Sequence, residues 1–393
     1  MKESIFMIEP MNFADFRSGS GSIAVAESFI RNIDNLILVG VSSVNEKWGN
    51  LKLININNKE IPFIPILKQN ILDRVPTKNF IFSLFLKKYI SDIVEKYGMK
   101  YIFTQCYSVL WLLANSKYNF KICYYYPGME PPFLAGRYKN LGRILLPFYY
   151  YMQSMSINKA QIVLSAASDK FIEYHRNILL KYGLKKNIEF YKFPPPVNQY
   201  IFKIKDKKEA RIKLNLNQSD IIFIFVGRIE RVKGLDLIMN SFKLYINKYD
   251  DKAKLLIIGD GSLRNKLESV VNNEKINDKI LFLGRKNPAD VSEYISASDV
   301  CLFASYAEGF SVSMIECVLS GRPCVTTYVS GVDDLIEVGK NGFIVNTRNI
   351  EEYAKYMYLA SNLKEEDILE ISKKKCILFD EKVLWKNVIR GFR

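Results

Sequence analysis

The alternation that begins at Asp220 is the feature that most narrows what this chain can fold into. Short apolar runs rich in β-branched residues (DIIFIFV, KLLII, KILFL, VCLFA and PCVTT) recur along residues 220–327. Between them lie glycine-bearing or polar turns and stretches whose apolar residues fall at helical spacing. Strands alternating with helices at this interval make a parallel, doubly wound sheet. Such a sheet holds its ligands beyond the carboxyl ends of its strands. Arg228, Asp260, Arg285, Glu308 and Ser330-Gly331 all fall at those ends.

One stretch, ASYAEGFSVSMIECVLSGRP from Ala304 to Pro323, carries the densest chemistry. Met314, Ile315, Val318 and Leu319 place a helix from about Ser311 to Gly321. A strand feeding a glycine turn that opens a helix presents free N–H groups and a positive helix end, a site for an anion. Glu308 on the loop and Glu316 about one turn inside the helix can each accept hydrogen bonds from hydroxyl groups. Phosphate at the N–H groups and hydroxyls at two carboxylates describe a sugar nucleotide. Arg228 and Lys233 lie on one strand-to-helix connection, where two fixed cations can neutralise a diphosphate. No Asp-x-Asp pair is present, so no metal site and no cofactor are expected; protein cations take that role.

The first half alternates less clearly. SIFMIEP, NLILVGV, KYIFTQC, KICYYYP and QIVLSAAS read as strands. A loop containing Gly19 and Gly21 lies between the first strand and a helix, and its backbone could approach a ligand closely. Three consecutive prolines, Pro194 to Pro196, suit neither periodic element. The expected division is therefore 1–197 and 198–375, two Rossmann-like domains, with 376–393 as a closing segment.

The net charge of +15 is unevenly spread: residues 1–200 hold 25 Lys and Arg against 14 Asp and Glu. That half either has an ordinary solvated basic surface or faces something anionic such as lipid headgroups. The stretch from Tyr124 to Tyr151 combines Arg137, Lys139 and Arg143 with many aromatics. Two readings stand: aromatics packed into the core, or a basic, amphipathic surface resting on a membrane interface. Six cysteines show no C-x-x-C and no zinc spacing, which points to free thiols and a reducing, cytoplasmic compartment. The single histidine, His175, excludes catalysis by a histidine pair. No run reaches the length of a membrane span, and the N-terminus has too short an apolar core for a signal peptide.

Residues 221–345 resemble the donor-binding domain of the retaining glycosyltransferases of family 4. The matching pieces are GRIERVKGLD, IIGDGSLRNKLE, FLGR, SASDVCLFASYAEGFSVSMIEC, SGRPCVTT and SGVDDLIEVGKNGFIV. The resemblance implies the GT-B fold, two Rossmann-like domains facing a central cleft: an N-terminal acceptor-binding domain and a C-terminal domain for the nucleotide-sugar. The last segment is then a helix crossing back onto the first domain. It implies that Glu308 contacts the donor sugar, that Gly309, Phe310 and Ser311 hold sugar and phosphate, and that Glu316 accepts from the ribose. Arg228 and Lys233 would stabilise the leaving diphosphate, residues 283–285 would border the base, and Gly19, Gly227, Gly259, Asp260, Gly261 and Arg285 complete the donor site. The implied reaction is retaining, metal-independent transfer of a hexose from a UDP- or GDP-sugar. The acceptor would be a hydroxyl of a glycan or lipid-linked molecule in cell-surface polysaccharide, glycolipid or glycoprotein glycan synthesis, on a cytoplasmic protein peripheral to the membrane. A histidine common in the family's first domain is absent, with Met129 or Tyr126 in its place. Ser330-Gly331 replaces a frequent Gly-Gly, and Asp334 a frequent Glu.

Three rival readings compete with this one. A nicotinamide-dependent dehydrogenase is disfavoured because Arg264 stands where the third fingerprint glycine belongs. A nucleic-acid-binding protein lacks a reading motif, and the basic excess lies away from the best motifs. A catalytically degenerate partner subunit is disfavoured by the intact Arg228, Lys233, Glu308 and Glu316.

Overall fold

The computed structural model describes residues 4–15, 21–73, 78–126 and 139–392, whose strands form two sheets. The chain divides into two compact units, one of Met1–Ser18, Val25–Pro194 and Lys382–Arg393, the other of Gly19–Ala24 and Pro195–Glu381. The break falls inside the proline run, a little before the expected 197/198. The closing segment joins the first unit from Lys382, not from residue 376. Residues 376–381 stay with the second unit for a visible reason. The Gln199 side chain donates to the Cys376 carbonyl, and Phe379 packs edge-on against Phe310.

The first unit holds β1 (Ile5–Ile8), β2 (Leu36–Ser42), β3 (Lys52–Ile56), β4 (Lys59–Lys68), β5 (Tyr101–Thr104), β6 (Lys121–Tyr126), β7 (Ile162–Ser165) and β8 (Phe190–Lys192). Their order is β3-β4-β2-β1-β5-β6-β7-β8, parallel except for the β3–β4 hairpin. That hairpin turns on Asn57 and Asn58, both with φ near +60° (52° and 64°), a conformation Asn tolerates better than most residues. Each face of the sheet carries its own apolar cluster. The last helix, Glu381–Phe392, closes one face: Trp385 lies against Phe29, Phe103 and Phe193 and donates its indole N–H to Ser28 Oγ.

The second unit holds β9 (Ile222–Val226), β10 (Lys254–Ile258), β11 (Ile280–Gly284), β12 (Val300–Phe303), β13 (Cys324–Thr327) and β14 (Gly342–Val345). All are parallel, in the order β11-β10-β9-β12-β13-β14. From β9 the chain runs outward through β10 and β11, then returns to β12 on β9's other side. The topological switch point therefore lies between β9 and β12, where such sheets open a crevice. Strand β12 is at most 4% exposed at every residue, as its VCLF sequence demands. All six cysteines are free, and five of them are buried.

Candidate functional site

Two loops meet at the switch point of the second unit. The one after β9 runs through a short 3-10 turn, Arg231–Lys233, to Gly234 and the helix Leu235–Lys248. The one after β12 runs from Ala304 to Ser311 and opens the helix Val312–Leu319. They are bolted together. The Tyr306 N–H donates to the Val232 carbonyl at 2.8 Å, and the Arg348 guanidinium donates to the Ala304 carbonyl at 2.8 Å. Gly234 has φ of +64°, and a Cβ there would stand 2.0 Å from the Ala304 carbonyl oxygen, so only glycine allows this approach.

The outcome is an ion pair across the crevice between Lys233 Nζ and Glu308 Oε1. Ser305 Oγ donates to the same carboxylate oxygen at 2.8 Å. Glu308 Oε2 accepts no hydrogen bond among the described residues. Lys233 has three donors and a short loop to hold it, so its ammonium keeps donors for another anion. Beside this pair, the backbone N–H groups of Gly309, Phe310 and Ser311 have no hydrogen-bond partner among the described residues, and Ser311 makes no side-chain cap. Free N–H groups at a helix start, a held cation and a carboxylate oxygen open to hydroxyls therefore share one crevice.

The neighbouring turn after β10 explains its own glycines by packing. A Cβ on Gly259 would lie 1.8 Å from the Gly227 carbonyl oxygen, and one on Gly261 would lie 2.5 Å from that of Ile229. Backbone bonds from Gly227 N–H to the Ile258 carbonyl and from Ile229 N–H to the Asp260 carbonyl knit the two turns. These glycines let the β9 and β10 loops touch, which sets the crevice wall.

Residues 206–374, which include this sheet and both loops, match the family model for glycosyl transferases group 1. This domain belongs to that family. N-acetyl-alpha-D-glucosaminyl L-malate synthase of Bacillus anthracis is 28% identical to the chain over 148 residues, 38% of each protein. UDP-Gal:alpha-D-GlcNAc-diphosphoundecaprenol alpha-1,3-galactosyltransferase of Escherichia coli is 25% identical over 195 residues, 49% of this chain and 47% of that one. The chain thus spans less than half the length of these relatives. Sucrose-phosphate synthase from Thermosynechococcus elongatus shares the fold, with a TM-score of 0.77 at 17% identity over 100% of this chain and 98% of that one. The fold is GT-B, with two Rossmann-like units.

Within the glycosyl transferases group 1 domain, the remaining expected residues divide into two groups. Glu316 sits half-buried in the helix Val312–Leu319, and its carboxylate has no partner among the described residues. The packing around it pushes its pKa up to about 8, so the ligand-free group holds its proton at neutral pH. Phe310 turns its ring into the core, where it fills the space beside Gly331; what it offers the crevice is its N–H. Arg228 is exposed on the β9 loop and makes no ion pair among the described residues. Asp260 accepts from Gly261 N–H and stands 3.8 Å from Arg285, whose side chain is 70% exposed; this pair rims the β10 and β11 ends. Gly19 and Met129 lie outside the described residues. His175 packs edge-on against Tyr126, ring centroids 6.0 Å apart, in the first unit.

Sequence reasoning missed the supports. Arg348 stacks 3.6 Å from the Tyr306 ring centre while holding the Ala304 carbonyl. Tyr353, fully buried, shares its one hydroxyl proton between the carbonyls of Phe303 and Val325, and Thr327 Oγ1 donates to that of Ser305. Glu230 accepts from both the N–H and the hydroxyl of Ser262, which holds its pKa below the usual carboxylate value. Arg348 lies 40 residues beyond Glu308 in sequence, and no local spacing signals it.

Proposed function

We infer that this protein transfers a hexose from a UDP- or GDP-sugar to a hydroxyl of a glycan or lipid-linked acceptor, with retention and without a metal. The observation that carries this reading is the Lys233–Glu308 pair, one oxygen of the carboxylate used by Lys233 and Ser305 and the other open. Oε2 is placed to accept from donor-sugar hydroxyls. The free donors of Lys233, the Arg228 guanidinium and the N–H groups of residues 309–311 converge on the diphosphate. Glu316 takes the ribose hydroxyls.

In the reaction, the bond from the anomeric carbon to the diphosphate oxygen breaks as the acceptor oxygen bonds to the same face. The acceptor's proton passes to the departing phosphate oxygen, so no separate base is required. Negative charge grows on that phosphate, and Lys233, Arg228 and the backbone donors meet it already oriented. Each such fixed donor contributes about 3–4 kcal/mol of transition-state stabilisation. The UDP-Gal named for the Escherichia coli relative favours a uridine donor, and its diphosphoundecaprenol acceptor favours a lipid-linked one.

The test is product analysis with the purified protein and a matched donor and acceptor. The α-linked product of an α-linked donor, formed equally with EDTA present, is the expected result. An inverted product, or loss of transfer on chelation, contradicts it.

A further inference from the structure

Three cysteines of the second unit meet at one place in its core. Cys301 on β12 and Cys324 on β13 are register partners on neighbouring parallel strands. Their side chains therefore leave the same face of the sheet, from backbones at the spacing of adjacent strands, about 4.8 Å. Cys317, on the helix Val312–Leu319, comes down onto that face, and all three lie in one apolar cluster, fully buried. Their thiols hydrogen-bond with one another. Cys324 Sγ also donates to the Arg322 carbonyl at 3.7 Å.

A guanidinium stands beside them. Arg322 is 9% exposed; its Nη2 donates to the Lys205 carbonyl at 3.3 Å, while its Nε is buried without a hydrogen-bond partner. Cys301 is the strongest of the charges acting on it, ahead of Asp299 and Glu365, with Arg211 opposing. A cation buried against a cluster of thiols favours the thiolate form of one of them. Burial works against ionisation of Cys301, but hydrogen bonds from Cys317 and Cys324 and the charge of Arg322 outweigh it and hold its thiol below the ordinary range. Burial pushes the thiols of Cys317 and Cys324 up, so both stay S–H donors. Cys123 of the first unit is the contrast: it is equally buried, and burial alone pushes its thiol up. A buried thiol in apolar surroundings is inert, whereas a thiolate touching a second thiol is the arrangement that a peroxide oxidises.

We propose that Cys301 and Cys324, with Cys317 and Arg322 beside them, form a site that hydrogen peroxide oxidises to a disulfide. The Cys301 sulfur attacks one peroxide oxygen, the O–O bond breaks, and the other oxygen leaves as water after taking up a proton. Cys301 is then a sulfenic acid. The Cys324 sulfur attacks it, the S–S bond forms as the S–O bond breaks, and a second water leaves with the Cys324 proton. In sum the two thiols give up two electrons and two protons, and one peroxide becomes two waters. Neighbouring strands hold the two Cα atoms within the span of about 4.4–6.8 Å that a disulfide bridges. Hydrogen peroxide is neutral and little larger than water, and local opening of the helix Val312–Leu319 admits it. The site stands apart from the nucleotide-sugar reading, since none of these four residues is assigned to the donor. The experiment is exposure of the folded full chain to hydrogen peroxide, then denaturation in an alkylating agent and peptide mass mapping over time. A linked Cys301–Cys324 peptide should form at least about tenfold faster than Cys123 oxidises, and dithiothreitol should reverse it. Arg322→Met should slow the link by about tenfold, with thermal melting to confirm that the variant is folded. If it does not fold, the wild-type comparison with Cys123 decides alone. Oxidation of Cys301 no faster than that of Cys123, a link between any other pair of cysteines, or full-rate linkage in folded Arg322→Met overturns the proposal.

Discussion

The switch points of the two sheets are built alike and finished differently. In the first unit, polar groups beyond β1 and β5 pair with one another. Glu9, 3% exposed, accepts the Gln105 N–H, and Thr104 Oγ1 donates to the Ile8 carbonyl while accepting the Cys106 N–H. In the second unit the crevice between β9 and β12 keeps backbone donors and a carboxylate oxygen without hydrogen-bond partners, and the exposed Arg228 without an ion pair, among the described residues. Fold alone does not distinguish the two. The loops do, and the chemistry goes with the loops whose polar groups are left open.

The sharpest way to break this contrast is to remove the charges of the open crevice. Lys233→Ala or Glu308→Gln should lower sugar transfer at least a hundredfold, as expected for loss of a fixed transition-state contact. The two side chains are only 18% and 11% exposed, so melting of each variant is recorded alongside and the loss of transfer is read at temperatures where the variant stays folded. Transfer within about tenfold of wild type for either variant contradicts the roles assigned here.

Gly234→Ala attacks the geometry instead. Its new Cβ meets the Ala304 carbonyl and a positive φ together, so unfolding free energy should fall by about 3 kcal/mol. A denaturant curve measures this, and an unchanged midpoint would show that the two loops are not bolted as described. Arg348→Ala should act more gently, costing roughly tenfold in kcat with a smaller change in nucleotide affinity, because Arg348 acts through the loop by holding the Ala304 carbonyl and stacking on Tyr306. Equal losses in Arg348→Lys would show that the stacked guanidinium rather than charge matters, and full activity in Arg348→Lys that charge suffices.

Two titrations sharpen the comparison further. Glu316 holds its proton up to about pH 8 in the ligand-free protein, and the proposed contact with ribose hydroxyls would favour its ionised form. Nucleotide affinity should therefore rise with pH, by at most about tenfold per unit for one released proton, and level off above about pH 8. Glu316→Gln should flatten that profile. Glu9 in the closed crevice also has a pKa pushed up to about 8, chiefly by burial. The folded protein keeps that proton where the unfolded chain loses it, so stability falls as pH rises from the ordinary carboxylate range of 4.5 toward 8. Glu9→Gln should remove this slope without altering nucleotide affinity. A change in affinity would mean that the two crevices are not independent.

Much of the second unit was legible because its signals are local. Short apolar runs fix strands, Met314, Ile315, Val318 and Leu319 fix a helix face, and Glu308 stands at the turn between. What was not legible depends on contacts distant in sequence. The Lys233–Glu308 pair joins residues 75 apart, and Arg348 reaches back to Ala304 from a later loop. The glycines at 259 and 261 have a packing reason visible only once two turns stand side by side: a Cβ on either would meet the carbonyl of Gly227 or Ile229. In the first unit the β3–β4 hairpin was not foreseen. Strand β4 carries Pro62 and Pro65, which interrupt any strand pattern, and its turn uses two asparagines without glycine. Of the stretch from Tyr124 to Tyr151, residues 127–138 lie outside the described residues. Tyr124, Tyr125 and Tyr126 are core, whereas Phe148 and Tyr151 face outward.

The central claim is that the open crevice of the second unit receives a nucleotide-sugar. Thermal melting of wild type and Lys233→Ala against UDP-, GDP-, ADP- and CMP-sugars, with and without EDTA, tests it most directly. One nucleotide should stabilise the wild type, by about 2.7 kcal/mol at a hundred times its dissociation constant. That gain should persist in EDTA and shrink in Lys233→Ala. No stabilisation by any nucleotide, or stabilisation untouched by Lys233→Ala, contradicts the account.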